Sequence, residues 1–452
     1  MKNVHFIAIG GAVMHNLAIA LYKMSYNVTG SDDEIFEPSK SRLLKYGLLP
    51  GKQGWFAEKI TEKTDAVILG MHAHSDNPEL VRARELSIPV YSFPEYLFEQ
   101  TKDKKRVVIG GSHGKTTTTS MIMHVLKENN IKFDYMVGAQ IEGFDTMVQL
   151  SDAPLAIFEG DEYLSSTLDM RPKFHLYKPH IAVITGIAWD HINVFPTFEN
   201  YIEQFEKFID LIEKNGTLIY YQKDNTLSRI VNQAREELNK IPYIEPSNRI
   251  IDGKTNLVYN NKNYSLSVFG DHNLQNISAA KEVCNLLGIS NNQFYNAIGS
   301  FKGASKRLQL LAENEFTAVF LDFAHSPSKL KATTEAVKKQ YKERRLVACM
   351  ELHTYSSLKE EFLPHYHMCM QSADIAYVYF NPETIKHKRL KNISKEKVAK
   401  AFGIENIQVF TDRDQLINNL MKTDWNNTNL LLMSSGNFSG VDFQELANKI
   451  MG

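Results

Sequence analysis

Apolar and polar positions along this chain repeat one order. A short apolar run comes first, then a glycine-rich or polar turn, then a stretch with apolar residues every three to four positions. Residues 4–9 form the first run and predict a strand. Gly10-Gly11 follow, then a helical pattern to about Met24, then a second strand over 26–30 that ends in Gly30-Ser31-Asp32. Residues 66–70 and 88–91 predict two more strands. The order restarts at 107–109, where Gly110-Gly111 lead into a helical pattern through Met121, Val125 and Leu126. Strands are predicted at 155–158, 181–184 and 218–221. Between them, residues 198–213 place Tyr201, Phe205, Phe208, Ile209 and Ile212 on one helical stripe, with Glu206 at its border. A helix over 274–287 stops at Gly288. A third series has strands at 319–321, 346–350, 375–379 and 429–433, with a helix over 329–339. Short buried strands alternating with helices predict parallel sheets, hence an α/β class.

At 452 residues the chain is long enough for about three domains. The charged stretch 101–105 (TKDKK) is a natural boundary. The expected architecture is three α/β domains in series: a Rossmann-like domain over 1–103, a central P-loop ATPase-like domain over 104–303 and a Rossmann-like domain over 304–452. A net charge of −1 leaves no basic footprint for nucleic acid. No apolar run is long enough to span a membrane. The apolar N-terminus is interrupted by Gly10-Gly11 and His15 and lacks a small-x-small cleavage pattern, so it does not read as a signal peptide. Cys284, Cys349 and Cys369 are too far apart for a disulfide frame or zinc site and fit a reducing cytoplasm.

The candidate chemistry centres on residues 109–117, IGGSHGKTT. Strand, glycine turn, Lys-Thr and helix are the layout of a phosphate-binding loop. Backbone N–H groups turn towards phosphate oxygens, and the helix N-terminus adds partial positive charge. Lys115 would hold the β- and γ-phosphates and Thr116 would ligate Mg2+. The spacing is G-x-x-G-K-T, with Ile109 where the usual first glycine would stand. Glu159-Gly160-Asp161-Glu162 end a strand beside this loop, where carboxylates suit Mg2+. The first strand–turn–helix has only the pair Gly10-Gly11, so NAD is not indicated, but any diphosphate fits there. Asp32 lies where a ribose-binding carboxylate belongs. His72 and His74 read as loop polar groups. The pattern implies an ATP-using enzyme with a second phosphorylated ligand, and leaves kinase, ATPase and ligase open.

The motifs taken together resemble the Mur ligase family, ATP-dependent amide-forming enzymes of peptidoglycan synthesis. The family's G-T-H-G-K-T-T is matched by Gly111-Ser112-His113-Gly114-Lys115-Thr116-Thr117, its E-A-D-E by Glu159-Gly160-Asp161-Glu162, and its D-H by Asp190-His191. Its G-x-H-N-x-x-N is matched by Gly270-Asp271-His272-Asn273-Leu274-Gln275-Asn276. Arg307 matches the Arg before the third domain, and D-[FY]-[AG]-H-x-P is matched by Asp322-Phe323-Ala324-His325-Ser326-Pro327. The resemblance implies that Lys115 and the loop backbone hold phosphates. It implies that Thr116 and Glu159 bind one Mg2+, and Glu159 and His191 a second. By the same resemblance His272, Asn273 and Asn276 face the adenine side, Arg307 reaches the γ-phosphate, Asp322 holds the ribose and His325 lies near the phosphates. Arg307 and Asp322 stand beyond the central domain, which implies domain closure. Many family members carry a carbamylated lysine fifteen residues after the metal-binding His. Here that position is Glu206, and we expect its carboxylate to serve directly.

The first domain resembles the branch that binds UDP-N-acetylmuramate, which implicates Gly10, Gly11, Ser31, Asp32 and His72. Within that branch, Asp161-Glu162-Tyr163, Asp169, Arg171, Lys173-Phe174, Tyr177 and Pro179 resemble members that join a whole tripeptide, L-alanyl-γ-D-glutamyl-meso-diaminopimelate, to the sugar. Met433–Gly440 resembles them too. The alternative is an L-alanine-adding member, and a non-catalytic nucleotide-gated binder is the alternative from another class. His353, Tyr355, Ser356, Asn437 and Phe438 are expected to face the amine substrate. Small-molecule substrates and a monomer or weak homo-oligomer are expected.

Overall fold

The computed structural model describes residues 2–71, 73–189, 194–251, 253–304 and 306–452. The repeated strand–turn–helix order becomes three parallel-rich sheets, and a small antiparallel sheet is added. The first sheet has β1 (Asn3–Ile7), β2 (Asn27–Ser31), β3 (Ala66–Leu69) and β4 (Val90–Ser92), all parallel, in the order β2-β1-β3-β4. The second has β5 (Lys105–Gly110), β6 (Asp134–Met136), β7 (Val148–Gln149), β8 (Leu155–Glu159), β9 (Ile181–Ile184), β10 (Thr217–Tyr221) and β11 (Asn239–Tyr243). Its order is β11-β10-β9-β5-β8-β6-β7, and only β7 runs antiparallel to its neighbour. β5 lies between β8 and β9 and is buried on both faces, which is why Val107-Val108-Ile109 is continuously apolar. After β5 the chain builds outward on one side and returns to the other. The C-terminal end of β5 is therefore a topological switch point, where open α/β sheets place ligands.

A third sheet, β12 (Asn248–Ile251), β13 (Lys254–Tyr259) and β14 (Lys262–Ser265), is antiparallel and was not anticipated. Its signal was local: Asn260 and Asn261 both take positive φ, 48° and 59°, the backbone of a tight hairpin turn that asparagine tolerates. The fourth sheet has β15 (Gln309–Glu313), β16 (Ala318–Asp322), β17 (Arg345–Glu351), β18 (Ile375–Tyr379), β19 (Ile407–Phe410) and β20 (Thr428–Met433), in the order β15-β16-β20-β17-β18-β19. β15 alone is antiparallel there.

The chain divides into two compact units, residues 1–244 with 275–297, and residues 245–274 with 298–452. In the first unit, the charged stretch read as a boundary is held by Arg106. Arg106, 2% exposed, donates to the carbonyls of Thr101, Lys102, Lys104, Tyr177 and Lys178, and pairs with Glu213 at 3.0 Å. A buried guanidinium needs this full set of acceptors, because its donors cannot be neutralised.

Candidate active site

The helix Lys115–Glu128 starts at the end of β5 after a turn in which Gly111 and Gly114 take φ of 129° and 80°. Both are tightly enclosed. A Cβ on Gly111 would collide with Thr185 at the end of β9, and one on Gly114 would collide with the Asn276 side chain. Thr185 donates its hydroxyl to the carbonyl of His113, and Gln275 donates to the carbonyl of Thr185 at 2.6 Å. Ser112 N donates to Gly186 O. Thr117 is buried within the helix. The loop is thus held from behind by β9 and by residues 275–276.

Thr116 donates its hydroxyl to Glu159 Oε1 at 2.8 Å, and Gly138 N donates to Oε2 at 2.7 Å. Glu159 ends β8 beside β5, so parallel pairing brings it to the first turn of the helix. These hard oxygen donors at a helix N-terminus fit a magnesium–phosphate group. Among the described residues no group of three His, Cys, Asp or Glu could hold a metal ion. His191, named from the sequence as a ligand, lies outside the described residues, as does His72.

Glu162 does something else. It is fully buried, and its Oε2 lies 2.6 Å from Lys115 Nζ, which also donates to Gly111 O at 2.6 Å. Burial opposes the charge on Lys115, but Glu162, Asp161 and Glu159 outweigh it and hold the ammonium above its ordinary pKa. Tyr201 donates to Glu162 Oε1 at 3.0 Å and shares a 2.9 Å hydrogen bond with Ser112 Oγ, which accepts from Ala188 N. Sequence reasoning placed Tyr201 only on an apolar stripe. Its ring is in the core, against Phe195 and Phe205, and its hydroxyl is the part that reaches the loop. One hydroxyl on an otherwise apolar stripe was the available signal. Glu206 sits half-buried on the same helix, Phe198–Asp210.

In the first sheet, Asp32 accepts from Gly10 N at 2.7 Å, and a Cβ on Gly10 would lie 2.9 Å from that carboxylate. Burial lifts the Asp32 carboxyl to about 6, against the Gly10 N–H and with help from Asp33. Asp32 therefore braces the Gly10-Gly11 turn from within. Ser31, expected at the ligand surface, is instead fully buried, and its hydroxyl accepts from Lys59 at 2.8 Å.

The remaining expected residues belong to the second unit. Asn273 is buried and donates to Phe269 O at 2.8 Å, closing the turn that starts the helix Asp271–Leu286. Desolvation pulls His272 down to about 4 despite Asp271, so its ring is neutral at pH 7. Asp322 ends β16 and accepts from Leu308 N at 2.8 Å. Burial raises it to about 6, although Arg307 and the Leu308 and Ala324 amides favour the anion. Arg307 stacks over the Phe323 ring at 4.7 Å, and His325 Nδ1 bonds Phe323 O at 2.8 Å.

Glu351, missed by sequence reasoning, organises the end of β17. It is 2% exposed and accepts from Ser434 Oγ and from Phe438 N at 2.9 Å; His353 Nδ1 lies 3.6 Å away. Burial pushes Glu351 up, but His353, Ser434 and the Phe438 amide reverse this and hold it below its ordinary value. Tyr355 is exposed with Lys359 over its ring at 4.7 Å, Ser356 is half-buried, and Asn437 is exposed and accepts from Gly440 N. Phe438 is a correction. Its side chain is 2% exposed and packs on Tyr379 and Phe443, so it belongs to the core rather than to a substrate-facing surface.

A phosphate loop at a sheet switch point, backed by carboxylates, defines a nucleotide-using α/β enzyme. Residues 3–105 match the family described as Mur ligase family, catalytic domain, residues 109–284 the Mur ligase middle domain, and residues 306–436 the Mur ligase, glutamate ligase domain. A UDP-N-acetylmuramate–L-alanine ligase of Clostridium kluyveri is 32% identical over 378 residues, 80% of each chain. A UDP-N-acetylmuramate–L-alanyl-γ-D-glutamyl-meso-2,6-diaminoheptandioate ligase of Haemophilus influenzae is 26% identical over 481 aligned positions, covering 100% of this chain and 99% of the relative. The crystal structure of a UDP-N-acetylmuramate–alanine ligase from Thermotoga maritima superposes with a TM-score of 0.70 over 100% of this chain and 98% of that one, at 20% identity, which shows a shared fold. The chain belongs to the Mur ligase family. It is an ATP-dependent, amide-forming ligase with the family's three domains in series.

Proposed function

We propose that the chain joins the lactyl carboxylate of UDP-N-acetylmuramate to the amine of L-alanyl-γ-D-glutamyl-meso-diaminopimelate, with ATP and Mg2+. The observation that carries this reading is the segment between Glu162 and Pro179, where the resemblance to tripeptide-joining members lies. It is an ordered loop: Leu164 bridges Pro172, Lys173 donates to Asp161 at 2.5 Å, and Arg171 pairs with Glu95 beside the first sheet at 2.8 Å. Thr167 donates to Ala73 O at 2.8 Å. The loop thus runs from the carboxylates beside the phosphate loop to the sheet proposed to hold the sugar nucleotide. The full-length match to the Haemophilus tripeptide ligase supports the same reading. A second reading, addition of L-alanine, is favoured by the higher identity of the Clostridium relative over 80% of the chain.

In this reaction an anionic carboxylate attacks the γ-phosphoryl group, and the resulting acyl phosphate is attacked by the amine. Two anions meet, so charge must be neutralised. Lys115 and Arg307 are the chain's cations for that task, and Lys115 is held protonated by its carboxylate neighbours. Thr116, Glu159 and His191 would hold Mg2+, with Glu206 in place of the carbamylated lysine. Mg2+ supplies further charge neutralisation on the phosphates. Asn276, His272 and Asn273 would line the adenine side, Asp322 and His325 the ribose and phosphates. His353, Tyr355, Ser356 and Asn437 would meet the amine substrate. Gly10, Gly11 and Asp32, with His72, would hold the uridine diphosphate.

The test is phosphate release by the purified protein with UDP-N-acetylmuramate, ATP and Mg2+, supplied with tripeptide or with L-alanine. Release with tripeptide alone is expected. Release with L-alanine alone overturns the choice of amine, and release with neither favours a nucleotide-gated binder.

A further inference from the structure

The Lys115–Glu162 contact has no place in a scheme where Lys115 simply holds phosphate. Lys115 Nζ lies 2.6 Å from a carboxylate that is fully buried, and nucleotide phosphates must compete with that carboxylate for the ammonium. The carboxylate is itself aimed. Tyr201 donates to its Oε1 at 3.0 Å, leaving Oε2 towards Lys115. Tyr201 in turn is held through Ser112 Oγ, 2.9 Å away, and Ser112 Oγ accepts from Ala188 N at 2.9 Å. The aromatic ring is fixed in the core by Phe195 and Phe205, so its hydroxyl cannot follow a moving loop without cost. This chain runs from the first turn of the helix Phe198–Asp210 to the loop that leaves β5, and ends on the one lysine of that loop.

We infer that Glu162, aimed by Tyr201, is a resident counter-charge for Lys115 that competes with nucleotide phosphate, weakening the hold on ADP and so assisting product release. Glu162 and Tyr201 are positioning residues, acting through Lys115. When nucleotide enters, Lys115 gives up one buried anion for another. When ADP is to leave, Glu162 recaptures the ammonium. The inference rests on the reading that Lys115 binds the nucleotide phosphates.

The sign of the effect separates this role from a merely structural one. A residue that only shapes the loop loses nucleotide affinity on substitution. A competing counter-charge gains it. The experiment is calorimetric titration of ADP with Mg2+ into the wild-type protein and into Glu162→Gln, Tyr201→Phe and Lys115→Met, with steady-state turnover in parallel. Glu162→Gln is expected to bind ADP tighter by roughly tenfold, the weight of one charge-assisted hydrogen bond, while kcat falls. Tyr201→Phe is expected to move ADP affinity the same way by a smaller factor, and it keeps the ring, so it stays informative if Glu162→Gln does not fold. Weaker or unchanged ADP binding in both variants overturns the inference. Lys115→Met tests the underlying reading separately: if it binds ADP as well as wild type does, Lys115 does not hold phosphate and the reading itself fails.

Discussion

Thr116 Oγ1 donates to Glu159 Oε1 at 2.8 Å, so the two side chains proposed to share a metal ion hold one another. Thr116→Val keeps the shape and removes the donor. It should cost about 1 kcal/mol of stability and raise the Mg2+ concentration needed for half-maximal phosphate release. Thr116→Ser should restore the Mg2+ dependence. Glu206→Gln, assayed in the same way, should lose activity at limiting Mg2+ and recover it at high Mg2+. Full activity at limiting Mg2+ would sink the replacement of a carbamylated lysine by Glu206.

Gly114 at φ 80° abuts Asn276. Gly114→Ala should pay about 1–2 kcal/mol for the left-handed backbone and displace Asn276. ADP affinity measured by calorimetry should fall. Adding Asn276→Ala relieves the collision but leaves the torsional cost, so recovery should be partial.

Asp322 carries its proton more tightly folded than unfolded, with a folded pKa of about 6 against an ordinary 3.8. Between those values the folded state binds more protons, so this group's contribution falls as pH rises through the window and stays lost above about 6. Asp322→Asn removes that dependence. Its stability relative to wild type should improve by about 1–3 kcal/mol between pH 4 and pH 7, read from denaturation midpoints at each pH. A constant offset would show that Asp322 titrates normally.

Glu351 anchors Ser434, Phe438 and His353. Glu351→Ala strands a buried hydroxyl and a buried amide and should destabilise the protein by about 3 kcal/mol. The KM for the amine substrate should rise far more than that for ATP. Equal changes in both KM values would place the 434–438 turn outside the amine site.

Much of the fold is legible in the sequence. Strands at 181–184 and 375–379 lie where the apolar runs put them, because a parallel strand covered on both faces shows a continuous apolar run. Gly111 and Gly114 were legible because the turn needs backbone that other residues adopt only at a cost. The Mur ligase motifs were legible because each is a run of a few consecutive residues, such as 111–117 after β5, 159–162 at the end of β8 and 270–276 at the start of a helix. What lay beyond reach depended on how elements dock. The Tyr201 hydroxyl meets Ser112 across 89 residues of chain, and Phe438 turns into the core instead of towards a substrate. Arg106 clamps the charged stretch that composition reads as a domain boundary. The sequence by itself determined the class of chemistry and the element that carries it, since phosphate binding needs a local turn and a lysine. Only the tertiary structure decided what that lysine touches, because the carboxylate and the tyrosine come from separate strands and helices brought together by burial.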